Sequence, residues 1–313
     1  MGKKILVVGE LNADVVLTGL RTFPSLGKEV LASDLHVVLG SSSAICAAGM
    51  ARLGAEVDFL GKVGRDYYGD FVIDQLRSLG VDTEHVIRDK DTPTGVTISL
   101  TYPADRALVT YLGCTTLLSL EDIDTLILSR YGHLHVGSYF LQRGLQAGLP
   151  ELFRQAHRAG LTISLDPGHD PDEKWGGDAL LTLLNLVDIF LPNDTEARAI
   201  AEVDDTEAAL RVLAKHARLA VIKCGSSGVM TLHDGKVLQS PAFPVETVDT
   251  TGAGDSFGAG FIYAHALRGL PLEEALRFAN ACGALSTTGF GGTASQPTSA
   301  QVHSFLEDKR SEE

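Results

Sequence analysis

Residues 249–261, DTTGAGDSFGAGF, place one aspartate on each side of a Thr-Gly-Ala-Gly turn. The preceding run, PVETVDTT, is extended in character, and residues 255–266 have a helical composition. Gly252, Ala253 and Gly254 permit a tight backbone where that helix begins. A helix N-terminus presents unpaired N–H groups and partial positive charge, so small residues there let an anion approach closely. The turn is therefore an expected anion hole, although it lacks the GxxxxGK[ST] pattern of a phosphate-binding loop. Asp255 has two readings. It is a capping acid that complements the helix dipole, or a base that takes the proton of a hydroxyl attacking a phosphoryl group. The local sequence supports both.

Outward from this turn, short β-rich runs alternate with segments of helical period: KILVVG, VDFLGKVG, HLHVG, LTISLD, VDIFLPN and AVIKCG. The alternation predicts an α/β chain with a mainly parallel sheet and helices on both faces. Further helices are expected at 43–53, 69–79, 145–159, 195–202, 206–217 and 272–287. Two regions break the pattern. DVVLTGLRTFPSLGKEVLASDLHVVLG is extended around a Pro/Gly turn, and TGVTISLTYPADRALVTYLG reads as a hairpin turning at 103–106. Together, over about 14–40 and 94–113, they make either a small β-sheet lid or an edge extension of the main sheet. No repeat or linker divides the chain, so one domain over 1–313 is expected.

Lys and Arg total 26 against 40 Asp and Glu, a formal net charge of −14 that repels nucleic acid and anionic membrane surfaces. The composition, 44% hydrophobic and 21% charged, is that of a soluble folded protein. Cys46, Cys114, Cys224 and Cys282 form no CxxC pair, which argues against a disulfide framework or zinc site and fits a reducing cytoplasm. The N-terminal apolar run, Ile5 to Val8, is too short for a signal peptide. No GxGxxG follows it, which weakens a dinucleotide-binding reading.

Residues 249–261 closely resemble the C-terminal signature of the ribokinase, or PfkB, family of carbohydrate kinases, and family-like segments follow in order from residue 5 to about residue 300. The resemblance implies a ribokinase-like three-layer α/β/α domain with a small β-sheet lid, ATP and magnesium as cofactors, and a sugar-like small molecule as substrate. It makes Asp255 the catalytic base and Gly252, Ala253 and Gly254 the anion hole. Asp249 would shape a monovalent-cation site, with potassium as the candidate ion. Asn193 and Glu196 in LPNDTEA match the NxxE motif that acts through magnesium and ordered water; without the resemblance, Glu196 is a first-turn helix acid. Lys223, Gly225 and Gly228 match the ATP-side loop, and Asn280 matches an asparagine beside adenine. Asp14 in GELNADVVL matches the sugar-binding aspartate, with Asn12 as helper; a carboxylate accepts two adjacent hydroxyls and orients them.

One segment departs from the pattern. In LGSSSAICAAGMARLG the usual Gly-Gly pair is Gly40-Ser41, and Ile45 stands where a substrate-contacting asparagine is expected. Ser41, Ser42 and Ser43 are candidate replacements, and the apolar Ile45 predicts a preference other than ribose. His133 and His135 lack a third metal ligand and are expected in the core or at a sheet edge, Trp175 to pack a loop, and Asp166 to support the site from its strand end. The sum is a cytoplasmic kinase of a sugar-like hydroxyl, homodimeric through its lid. Nucleoside acceptors, favoured by Ile45, and sugar phosphates, favoured by Arg106, stay open. The alternative of another class is a catalytically idle ligand-binding or regulatory protein, against which the intact Asp255 and glycine turn weigh.

Overall fold

Each of the six runs quoted above contains a strand in the computed structural model of the chain, which describes residues 4–102 and 106–312. Six parallel strands form the central sheet, in the order Ile189–Phe190, Thr162–Leu165, His133–Val136, Ile5–Val8, Val57–Gly64 and Val86–Asp89. Val221–Lys223 adjoins them through isolated parallel bridges, Phe190 to Ala220 and Asn193 to Lys223, and pairs in turn with antiparallel Val229–His233, which pairs with Lys236–Ser240.

Ile5–Val8, in the middle of the sheet, is a continuous apolar run because both of its faces are covered. Ile5 and Val7 join one buried cluster with Ala44, Met50, Phe257, Phe261 and Phe278, whereas Leu6 and Val8 join another with Phe153, Leu180 and Leu210. Alternate side chains along a strand point to opposite faces, so one strand serves two helical layers. His133 and His135 are buried between strands, bonded to Thr162 Oγ1 and Ser164 Oγ. Burial pushes His135 down to about 4, so its ring stays neutral. Trp175 packs edge-on against Phe140 and His169.

Helices occupy Ser42–Arg52, Tyr67–Ser78, Asp194–Ala201, Thr206–Leu213 and Leu272–Ser286 as the pattern predicts. The expected 145–159 helix is instead two, Arg143–Gln146 and Leu149–Arg158. Pro150 explains the restart, since a residue without an N–H is tolerated in a first turn but not in an interior. Ala253–Phe261 runs on into a π-helical turn at Ile262–Leu267. Gly177–Leu184 and Ser299–Glu312 are helices outside the expected segments.

The two regions that break the alternation form a sheet of their own, ordered Asp34–Leu39, Asn12–Thr18, Gly95–Thr101 and Arg106–Tyr111. The inner two strands are parallel and the outer pairings antiparallel. The hairpin turn expected at 103–106 lies mostly outside the described residues. Register sets Val38, Asp14, Thr97 and Thr110 in one cross-strand row, and Val37, Val15, Ile98 and Val109 in the next. Neighbouring rows face opposite ways, giving this sheet one mixed face and one apolar face.

Candidate active site

The C-terminal ends of three parallel strands deliver Glu10, Asp166 and Asn193 to one edge of the central sheet, where open α/β sheets bind ligands. There the second sheet encloses a cavity of about 340 Å³. Its lining includes Asn12, Asp14 and Thr97 from that sheet, Ser41 and Ser42 from a helix start, and Asp249, Thr251 and Phe290 from two loops. Arg106 bonds to Thr251, and the His36 ring packs on Phe290 with centroids 4.9 Å apart, so the sheet touches both loops across the cavity.

Asn12 donates to Asp14 Oδ1 at 2.8 Å and to Thr97 Oγ1 at 3.3 Å. Burial raises Asp14 to about 6, against the lowering effect of Asn12 and Arg106. Gly40 is needed beside this pair, since a Cβ there would fall 2.2 Å from Asp14 Oδ1 and 2.5 Å from Asn12 Nδ2.

The three serines that follow are all engaged internally. Ser41 caps its helix by accepting from Ala44 N at 3.0 Å, and it donates to the Glu10 carbonyl. Ser42 donates to Asp255 Oδ1, and Ser43 to Glu10 Oε2. Glu10 also accepts from Ser43 N at 3.1 Å and Ser138 Oγ at 2.9 Å, and burial raises its pKa despite those bonds. This cavity-lining glutamate is absent from the sequence-based set because its partners lie 33 and 128 residues away. Ile45 is outside the lining: it is buried beneath the signature turn, where a Cβ on Gly252 or Gly292 would meet its side chain at 3.0 or 2.6 Å.

Gly252 has φ +73° and precedes the Ala253–Phe261 helix, with Asp255 in the first turn. Desolvation of the carboxyl, then the charge of Asp166, raises Asp255 to about 7, while the Ser42 bond and Lys223 pull it down. Burial alone would raise Asp249, but bonds from Thr251 N and Oγ1 and from Gly291 N hold it below the usual carboxylate range. Asp249 thus ties the signature turn to the Gly291 loop.

On the other side of the turn, Asn193 and Glu196 form a reciprocal capping box, with both bonds at 2.8 Å. Glu196 is buried and raised to about 7 by desolvation and by Asp166. Gly225 and Gly228 turn tightly at φ +55° and +87°, and a Cβ on Gly228 would lie 2.1 Å from the Ser240 carbonyl oxygen. The Asn280 amide is committed to Ser240 O, Ser240 Oγ and Pro241 O at 3.0 Å each, pinning that segment. Lys223 pairs with Asp166 at 2.7 Å.

Comparison with known proteins follows this geometry. A profile of the family described as pfkB family carbohydrate kinase matches residues 2–299. Ribokinase of Bacillus subtilis (strain 168) is 31% identical, with 97% of this chain and 99% of that protein covered. The ATP-dependent ribose-1-phosphate kinase of Halopiger xanaduensis is 33% identical, covering 98% and 99%. The structure of Arabidopsis thaliana ribokinase complexed with ribose and ATP has a TM-score of 0.84 to this chain at 26% identity, covering 98% of this chain and 99% of that one.

Proposed function

The chain belongs to the pfkB family of carbohydrate kinases and is an ATP-dependent sugar kinase, and from this premise we propose that Asp255 is its general base and that the acceptor binds against Asp14 and Asn12. The observation that carries the proposal is the bond from Ser42, a lining residue of the cavity, to Asp255 at the mouth of the anion-hole turn. The acceptor hydroxyl gives its proton to Asp255 as its oxygen bonds to the terminal phosphorus of ATP, and the bond to the bridging oxygen breaks to release ADP. Backbone N–H groups of Gly252, Ala253 and Gly254 stabilise charge on the phosphoryl group in transit.

Glu196 offers one buried carboxylate, and no group of three or more metal-binding side chains occurs among the described residues. That donor set suits a magnesium ion held with its waters by Glu196, Asn193 and phosphate oxygens rather than a caged ion. Bound there, magnesium would neutralise phosphate charge. Gly225 and Gly228 would bring backbone close to the nucleotide, and Asn280 would order the neighbouring wall. Asp249 would ligate a monovalent cation that rigidifies the turn. Potassium should then raise turnover over a large organic cation at matched ionic strength; equal rates would remove this role.

Asp255 must be ionised to act, so turnover should rise through an acid limb centred near pH 7. Ser42→Ala removes a bond that favours the carboxylate and should move that limb upward. A limb near pH 4, or one unmoved in the variant, contradicts the assignment.

The cavity volume is at the lower end of the range for small-molecule sites, which are about 300–1,000 Å³. Val16, Val38, Leu108 and Phe290 line it beside the hydroxyl-binding pair. Arg106 at its wall, together with the ribose-1-phosphate kinase relative, favours a sugar phosphate as the second reading of the acceptor. An ATP-consumption screen across sugars, sugar acids, nucleosides and sugar phosphates tests both. Turnover of none of them, with ATP still bound, would revive the idle ligand-binding alternative.

The second sheet, over about 14–40 and 94–113, would act as a lid that excludes water from the transfer within a single 1–313 domain. Its outward face exposes apolar side chains, with Ile98 40%, Leu35 55% and Val109 60% exposed. A second copy of the chain covering this face would make a homodimer. Val109→Asp should shift sedimentation from dimer to monomer; a parent that is monomeric and fully active on dilution contradicts the interface. A cytoplasmic setting agrees with four free cysteines, three of them buried. No helix among the described residues is long and apolar enough to cross a membrane.

A further inference from the structure

We infer that Glu10 is a positioning residue for the phosphoryl transfer: it clamps the residues on either side of Ser42 and so aims that hydroxyl at Asp255. The inference rests on the reading of Asp255 as the base. Glu10 follows the Ile5–Val8 strand, lines the cavity and is 2% exposed. Its carboxyl takes no part in moving the proton or the phosphoryl group.

Both ends of the residue grip one helix start. The Glu10 carbonyl accepts from Ser41 Oγ, and its carboxyl accepts from Ser43 N at 3.1 Å and from Ser43 Oγ. Ser42 lies between these two anchored residues and donates in another direction, to Asp255 Oδ1. A hydroxyl bound to one oxygen fixes the rotation of the carboxyl, and hence where the other oxygen points.

The clamp also holds backbone that would otherwise relax. Ser41 has φ +69° and Ser138 φ +49°, the left-handed region that favours glycine. Both donate their hydroxyls to Glu10, Ser138 at 2.9 Å. Strained residues of this kind persist where their surroundings over-determine them. Ser43 is confined as well, since a Cβ on Gly9 or Gly137 would fall 2.1 or 2.3 Å from its Oγ. Glu10 stands two residues before Asn12 and four before Asp14, and Gly40 N donates to the Asn12 carbonyl at 3.1 Å. The segment that holds the acceptor therefore also carries the clamp, and base and acceptor keep one mutual geometry.

The test is a double-mutant cycle between Glu10 and Ser42 in kcat at the optimal pH. It is read beside unfolding midpoints and the KM values for ATP and for the sugar turned over fastest in the screen. Glu10→Ala should lower kcat about tenfold to a hundredfold, the effect of misplacing a reacting group, with both KM values within about threefold of the parent. Ser42→Ala alone should show a loss of similar size. In the Ser42→Ala background Glu10→Ala should cost less than about threefold more, because the hydroxyl it aims is gone, while its effect on the midpoint persists. Glu10→Gln keeps an acceptor for Ser43 N and can donate to the Ser43 hydroxyl, so it should recover most of the turnover. Ser43→Ala removes the tether from the helix side and should lower kcat only when Ser42 is present. That variant carries the test if Glu10→Ala does not fold.

Losses from Glu10→Ala and Ser42→Ala that multiply independently overturn the inference, as does a kcat in Glu10→Ala within about threefold of the parent. Glutamine as poor as alanine overturns it too, since charge rather than a clamp would then matter. Asp255→Asn tells the two claims apart. A large loss there beside parental turnover in Glu10→Ala removes the positioning role and leaves the base; parental turnover in Asp255→Asn removes both.

Discussion

Asp255→Asn is expected to lower turnover by at least a hundredfold, within the range of about 10² to 10⁴ typical of a general base. Asparagine keeps the shape, still caps a helix start and can still accept from Ser42, but it cannot take the acceptor's proton. Affinity for ATP should change little. Stability supplies a second signature. The folded protein raises Asp255 from 3.8 to about 7, so between those values the native state binds the proton that the unfolded chain releases. Unfolding free energy therefore falls as pH rises through that window and levels off above it. The variant lacks this loss and should be the more stable protein at pH 8, by an amount on the order of a few kcal/mol, with the difference vanishing toward pH 4. Turnover near the parental value would sink the base assignment. A loss seen only in stability would return Asp255 to the role of a cap.

Gly252→Ala should cost about 10² to 10³ in turnover, the effect of losing one donor that stabilises charge in transit. The residue sits at φ +73°, where a side chain is strained, and its Cβ would fall 2.9 Å from both Cα and O of Gly292 and 3.0 Å from Ile45 Cγ2. The Gly292 backbone and a buried isoleucine cannot both give way, so the turn must shift and re-aim its N–H groups. Gly254→Ala is the control: its Cβ would meet only the flexible end of Lys223, at 3.6 Å and beyond, and its φ is not in the left-handed region. The prediction is a fall in turnover with little change in acceptor KM for Gly252→Ala, and a smaller effect for Gly254→Ala. Turnover within about threefold of the parent would show that the anion hole does not depend on this turn.

Five of the six central strands were readable because each carries its signal locally, within a short β-rich run; Val86–Asp89 was missed because only its first two residues are apolar. Residues 14–40 and 94–113 were equally plain as extended segments, but their pairing was not: two strands far apart in the chain run parallel. Pro150 announced the break in the 145–159 helix, yet the apolar spacing on both sides hid it. The signature turn gave Asp255 two possible roles; the carboxyl is not itself among the lining residues, and only the Ser42 hydroxyl, 213 residues earlier, links it to the cavity. Glu10 had no local mark at all. Ile45 marks a different limit: helical period predicts its burial but not its neighbours, which include Gly252 and Gly292. Lys223 and Asp166 were each marked for the site, but they are 57 residues apart and nothing local showed that they pair.

Ser42 meets Asp255 across 213 residues, Glu10 meets Ser138 across 128, and Arg106 meets Thr251 across 145. No short fragment of the chain contains both halves of the pocket, whose lining runs from Glu10 to Gly291. A nascent polypeptide leaving the ribosome would display Asp14 and the Ser42 helix long before anything existed to close over them. Loop closure on this scale is slow compared with forming strands and helices. In refolding, secondary structure should therefore return first, and a catalytically competent cavity only after the stretch around Gly291 has docked.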